Sequence, residues 1–124
     1  MEKERVRVLV VDDDIQVGKM IECFVKEIFG GECKIAECAE SGISTITEGF
    51  VPDVIISDFL MPGLDGIEFF RALKEVGFEG KWLFVTGTLD NRLRNFSFEN
   101  NLEVLRKPFT MGDFTVALKD LMEE

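Results

Sequence analysis

The sequence predicts an α/β fold: a doubly wound, five-stranded parallel sheet with helices on both faces. Three observations carry this. Short β-branched apolar runs alternate with amphipathic helical patterns along the whole chain. The runs that read as strands one, three and four are almost continuously apolar, as strands buried on both faces are. The connections are short, and right-handed crossovers then make the sheet parallel. For five such units the natural strand order is 2-1-3-4-5, the flavodoxin-like arrangement. A chain of 124 residues is the size of one domain, so residues 1–124 are expected to form a single unit.

Residues 6–11, Val-Arg-Val-Leu-Val-Val, form the first strand. Val17, Met20, Ile21, Phe24, Val25 and Ile28 follow at three- and four-residue spacing, which is one face of a helix. Gly30-Gly31 ends it. Residues 33–38 are a short, poorer strand, and 41–49 a weak helix with Ile43 and Ile46 on one side. Pro52 breaks the chain before the buried strand 54–56. A loop with Pro62, Gly63 and Gly66 leads to a helix marked by Ile67, Phe70, Leu73 and Val76 and closed by Gly77. Residues 82–85 are the fourth strand, 89–100 a helix of weak periodicity, and 102–105 the fifth strand. The last helix opens with Thr110 as N-cap and Asp113 three residues on, a capping-box arrangement. Its apolar stripe is Met111, Phe114, Leu118 and Leu121.

Composition narrows the function. A chain 46% hydrophobic and 31% charged folds rather than staying disordered. The formal charge of −10 argues against general nucleic-acid binding, which needs a basic face, and against anionic membranes. Most of the acidic excess, including Glu123-Glu124 and the amino-terminal charges, reads as a solvated surface. With no histidine, imidazole bases and imidazole metal ligands are excluded. Cys23, Cys33 and Cys38 are odd in number and lack CxxC spacing. They suggest buried small hydrophobes in a reducing compartment. No apolar run approaches a membrane span and no signal peptide is visible, so a cytoplasmic protein is expected.

The polar residues fall where the strands end. Strand one runs into Asp12-Asp13-Asp14, strand three into Asp58, strand four into Thr86, and strand five into Lys107. In a parallel sheet these ends share one edge, and ligands of doubly wound folds bind there, near the switch in strand order. Taken singly, an Asp triplet is more often a turn or helix cap, and Thr or Lys at a strand end is usually structural. Four strand ends together are a different matter. Clustered carboxylates repel one another, and a hard divalent cation such as Mg²⁺ resolves the repulsion. A carboxylate beside such an ion can act as nucleophile toward a phosphoryl group. No general base is needed for that chemistry.

These residues resemble the receiver domain of two-component response regulators, of the chemotaxis-regulator type. The matching segments are Val8-Leu9-Val10-Val11-Asp12-Asp13-Asp14, residues 52–66 with their Asp58-Phe59-Leu60-Met61-Pro62-Gly63-Leu64-Asp65-Gly66 loop, Phe84-Val85-Thr86-Gly87 and Lys107-Pro108-Phe109. Ala39-Glu40-Ser41-Gly42 resembles the family's turn into its second helix. The resemblance implies Asp58 as phospho-acceptor, and Asp13 and Asp12 as the direct and the water-mediated acidic Mg²⁺ ligands. Leu60 would lend its backbone carbonyl to the metal. Thr86 would be the hydroxyl that moves to the phosphoryl group, and Lys107 its ammonium partner. Mn²⁺ is an alternative metal. Gly87 would leave the phosphoryl site open. A cis Lys107-Pro108 bond is expected. The implied partners are a sensor histidine kinase or phosphotransfer protein and a downstream protein target, with no direct nucleic-acid or membrane binding. A phosphorylation-dependent dimer is a further family trait.

Some positions depart from the family pattern. Val104 replaces the usual aromatic three residues before the lysine, which questions the coupling of that ring to the threonine. Asn100-Asn101 replaces the customary Gly-Ala, and the stretch from Thr86 to Lys107 is slightly short, so the fourth helix is expected to be short or shifted. Phe96 and Phe98, two residues apart, cannot face the same side of it. They are core plugs or, alternatively, an anchor for a partner. Leu60 and Thr88 occupy the positions that tune phosphoryl lifetime, and apolar Leu60 suggests slow to moderate self-dephosphorylation.

The expected function is a phospho-accepting switch, not a turnover enzyme on an external substrate. One alternative is a phosphorylation-independent receiver-like interaction module, and the retained acids and lysine argue against it. The other is an Asp-nucleophile phosphatase, which needs a second Asp where Leu60 stands and a cap over its substrate. The chain could stand alone or belong to a longer regulator.

Overall fold

The computed structural model describes residues 5–88 and 90–123. Five strands and five helices alternate: β1 Arg7–Val11, α1 Ile15–Phe29, β2 Glu32–Ala36, α2 Ala39–Thr47, β3 Val54–Ser57, α3 Gly66–Glu75, β4 Lys81–Thr86, α4 Asn91–Glu99, β5 Glu103–Arg106 and α5 Met111–Met122. All strand pairs are parallel and the order is β2-β1-β3-β4-β5, as the sequence predicts. Leu89 and Glu124 and the charges before Arg5, on which expectations were placed, lie outside the described residues.

The alternation of side chains along the strands divides the core in two. Leu9, Val11, Ile55, Trp82 and Phe84 face a cluster completed by Phe59, Phe69, Phe70, Leu93 and Phe96, beneath α2, α3 and α4. Val8, Val10, Val54, Ile56, Leu83 and Val85 face a second cluster with Ile21, Val25, Phe114, Leu118 and Leu121 of α1 and α5. Strands β1, β3 and β4 thus present apolar residues to both faces over 8–11, 54–56 and 82–85, which is why they read as continuous runs rather than alternating ones.

Local chemistry sets the helix ends. Asp14 caps α1 by accepting from the Gln16 N–H at 3.0 Å, and Gly30 closes it in the left-handed region at φ 59°. Asp65 and Glu68 form a capping box at α3, and Thr110 and Asp113 form the anticipated one at α5. The Lys107-Pro108 bond is cis.

Two local readings are corrected by packing, and a third is borne out. Met111 is exposed, so the buried stripe of α5 is Phe114, Leu118 and Leu121 alone. Only Cys33 is a buried cysteine; Cys23 is exposed and Cys38 half-buried. Helix α4 is short, and it splits the two phenylalanines: Phe96 is in the core while Phe98 is 84% exposed.

Candidate functional site

The sheet builds the site by continuing its hydrogen-bond ladder one step past each strand. The Asp12 N–H donates to the Ala36 carbonyl at 3.0 Å, the Asp58 N–H to Val11 at 2.9 Å, and the Lys107 N–H to Thr86 at 2.9 Å. Three side chains from distant parts of the sequence are therefore set at one end of the sheet by backbone bonds rather than by loop conformation.

The carboxylates are held individually. Asp12 is 1% exposed; its Oδ1 accepts from the Asp14 N–H at 2.8 Å and its Oδ2 from Lys107 Nζ at 2.9 Å. The buried Asp58 accepts from the Phe59 N–H on Oδ1 at 2.7 Å and from the same ammonium on Oδ2 at 3.1 Å. Asp13 is exposed. A carboxylate oxygen from each of Asp12, Asp13 and Asp58 lies within 4.8 Å of the others. That donor set, hard and anionic, suits Mg²⁺ or Mn²⁺.

Burial raises the Asp12 carboxyl above its ordinary range, and the nearby Asp58 charge adds to this, against the hydrogen bonds from Asp14 and Lys107. For Lys107, burial acts to lower the ammonium. The hydrogen bonds and charges of Asp12 and Asp58 outweigh it, and the group is held above its usual value. Lys107 therefore carries its charge in the cleft.

Thr86 is buried at the end of β4, but its hydroxyl is turned along the backbone. It donates to the Thr88 carbonyl at 3.1 Å and accepts the Thr88 N–H at 3.2 Å. Leu60 lies two residues past Asp58 with its side chain half exposed. A Cβ on exposed Gly87 would meet no other atom within 4 Å.

The loop after Asp58 is closed by the Gly66 N–H, which donates to the Phe59 carbonyl at 2.7 Å. A Cβ on Gly66 would come within 2.7 Å of the Asp58 carbonyl oxygen, so the close approach requires glycine. Arg92 was not anticipated. It pairs with the α3 N-cap Asp65, and its guanidinium lies 5.4 Å from the Phe59 ring centroid. Contact with Asp65 raises the Arg92 guanidinium further above its ordinary value. One signal was available: a basic residue in the first turn of a helix opposes the helix dipole and calls for another reason to be there.

Similarity to known proteins agrees with this arrangement. The model of the response regulator receiver domain family matches residues 8–119. The chain is 29% identical over 120 residues to the phosphate regulon transcriptional regulatory protein PhoB of Escherichia coli, covering 94% of this chain and 51% of that protein. It thus spans about half the length of the curated relatives it matches. Among solved structures, a response regulator receiver domain protein from Clostridium thermocellum is 28% identical, with a TM-score of 0.82 and coverage of 95% and 94% of the two chains. The chemotaxis protein CheY4 of Vibrio cholerae, 24% identical, shares the fold with a TM-score of 0.85 over 95% of this chain and 99% of its own. By its strand order and the family match over residues 8–119, the chain belongs to the receiver domain family of two-component response regulators.

Proposed function

We propose that the chain takes a phosphoryl group from a sensor histidine kinase or phosphotransfer protein onto Asp58, in a Mg²⁺-dependent reaction, and thereby changes its binding to a downstream protein. The observation that carries this is one ammonium, Lys107, against two buried carboxylates, Asp12 and Asp58, with Asp13 completing an oxygen-donor group. An Asp58 oxygen forms the new P–O bond as the P–N bond of the donor phosphohistidine breaks, its electron pair leaving with the imidazole nitrogen. Asp12, Asp13, Asp58 and the Leu60 carbonyl are the groups assigned to the metal. Bound Mg²⁺ would neutralise the phosphoryl oxygens.

Lys107 is assigned to pair with a phosphoryl oxygen. To do so it gives up one of its two carboxylates. The Thr86 hydroxyl must likewise release Thr88 to reach the same group, and that exchange would carry the change from Asp58 into the β4–α4 connection. The reading places the domain in the cytoplasm; among the described residues no helix is long and apolar enough to cross a membrane.

The test is intact mass after incubation with acetyl phosphate and Mg²⁺. A single phosphoryl adduct is expected, absent from Asp58→Asn and absent without Mg²⁺. An adduct that persists in Asp58→Asn refutes the acceptor. If wild type gives none although Mg²⁺ binds, the same incubation with a phosphorylated histidine phosphotransfer protein decides the matter, and failure there too sinks the switch.

A further inference from the structure

Arg92 stands in the first turn of α4 and reaches out of that helix to the loop that follows Asp58. It touches both ends of this loop. Its Nη2 donates to Asp65 Oδ2, and its guanidinium lies 5.4 Å from the Phe59 ring centroid. Between those two residues run 60–64, which form neither helix nor strand. A positive charge at this end opposes the helix dipole, so α4 itself gains nothing from it.

Both ends of the loop are tied to the acidic cleft. The Phe59 N–H donates to Asp58 Oδ1 at 2.7 Å, and the Phe59 carbonyl accepts the Gly66 N–H at 2.7 Å. The Phe59 ring is fully buried, with Arg92 over it. Asp65 divides its carboxylate. Its Oδ1 accepts the Glu68 N–H at 2.9 Å as the cap of α3, which leaves Oδ2 for Arg92. The Asp65 side chain is 17% exposed, so this pair is partly shielded from water. A planar guanidinium can serve a carboxylate and a ring face at once.

We propose that Arg92 is a positioning residue for the phosphoryl-accepting cleft. From α4 it clasps the two ends of loop 59–65, and so holds Asp58 and the Leu60 carbonyl in the arrangement that takes the metal ion. This rests on the metal assignment of Asp58 and Leu60 given above. Without the clasp the loop opens, and the ion must order it on binding.

The sign of the effect separates positioning from charge. Removing a cation near a cation site favours Mg²⁺ electrostatically, whereas loosening the loop disfavours it. Arg92→Gln and Asp65→Asn alter the local charge in opposite directions, and a positioning role makes both weaken binding. Asn at position 65 keeps an oxygen for the Glu68 N–H, so α3 stays capped.

The test measures Mg²⁺ affinity by calorimetry on the unphosphorylated protein, well below its melting temperature. Beside it, hydrogen exchange of the Gly66 amide is followed without metal, since that N–H closes the loop. Arg92→Gln is expected to raise Kd about two- to fivefold, as loss of one partly exposed ion pair does, and to speed Gly66 exchange by a similar factor. Asp65→Asn should do the same, and the double variant little more than either. Arg94→Gln is the control: Arg94 is exposed and makes no ion pair among the described residues, so its loss should not weaken binding. Unchanged or tighter Mg²⁺ binding in Arg92→Gln, equal weakening in Arg94→Gln, or Gly66 exchange at the wild-type rate overturns the proposal. If wild type itself binds no Mg²⁺, the metal assignment of the cleft falls and this role with it. If wild type binds and Arg92→Gln binds as well, the role of Arg92 alone falls.

Discussion

Lys107 and Asp12 are 95 residues apart in sequence, and their ammonium and carboxylate meet at 2.9 Å. The same ammonium also serves Asp58 at 3.1 Å. One cation therefore faces two buried carboxylates, and the exposed Asp13 adds a third negative group beside them. The cleft is left net negative, and two of the predictions below follow from the way it is built.

The first concerns Asp12. Burial raises its carboxyl, so the folded state holds this proton more tightly than the unfolded chain. Its contribution to stability is present at low pH and is lost as pH rises through the folded value. At neutral pH the Asp12 charge is a cost to the metal-free fold. Mg²⁺ should raise the melting temperature, and by less as pH falls into the carboxylate range, where protons compete for the site. Asp12→Asn should raise the metal-free melting temperature by a few degrees, on the order of 1 kcal/mol, and shrink the Mg²⁺ increment. Thermal melts with and without Mg²⁺ across pH decide it; an increment that survives undiminished in Asp12→Asn argues against the assignment.

Gly66→Ala should destabilise by about 1–3 kcal/mol, as forced overpacking does. The added carbon would meet the Asp58 carbonyl at 2.7 Å and the Phe84 ring at 2.8 Å, and neither is a flexible chain end. Urea unfolding measures it. A wild-type midpoint would mean that the loop between Phe59 and Gly66 has room to open.

Phe96 and Phe98 give a matched pair. Phe96→Ala removes a ring that packs edge-on against Phe70 at 5.5 Å, and should cost roughly 3 kcal/mol. Phe98→Ala should change stability by less than about 0.5 kcal/mol, since the ring is exposed. Similar losses in denaturant unfolding of the two variants would contradict the helix orientation.

The cysteines should separate by reactivity. Burial pushes the Cys33 thiol up to about 12. Iodoacetamide at mildly alkaline pH should modify exposed Cys23 well before Cys33, as peptide mapping over time would show. The unfolded chain ionises this thiol first, so the thiol's stabilising contribution holds below the ordinary thiol range and fades as pH rises through about 12. Equal labelling of native Cys23 and Cys33 would mean that β2 opens readily.

The fold was legible because its signals are local and periodic. Continuous apolar runs mark β1, β3 and β4, and chain order with short crossovers leaves little freedom in how five parallel strands are arranged. The same logic brings Asp12, Asp58, Thr86 and Lys107 to one end of the sheet, since each follows or ends a strand. Boundaries shifted by a few residues where propensity is weak: α2 begins at Ala39 and β2 stops at Ala36.

What the sequence determined by itself, then, is the strand order and which residues share the carboxyl edge, because both follow from the pattern of apolar runs and the handedness of their connections. Tertiary structure decided the rest. It set Lys107 between Asp12 and Asp58, turned the Thr86 hydroxyl to Thr88, sent Phe96 inward and Phe98 outward, and brought Arg92 to Asp65. These depend on side-chain rotamers and on how α4 is rotated against the sheet. Such choices are fixed by which neighbours leave room or offer a partner, and those neighbours meet only once the chain has folded.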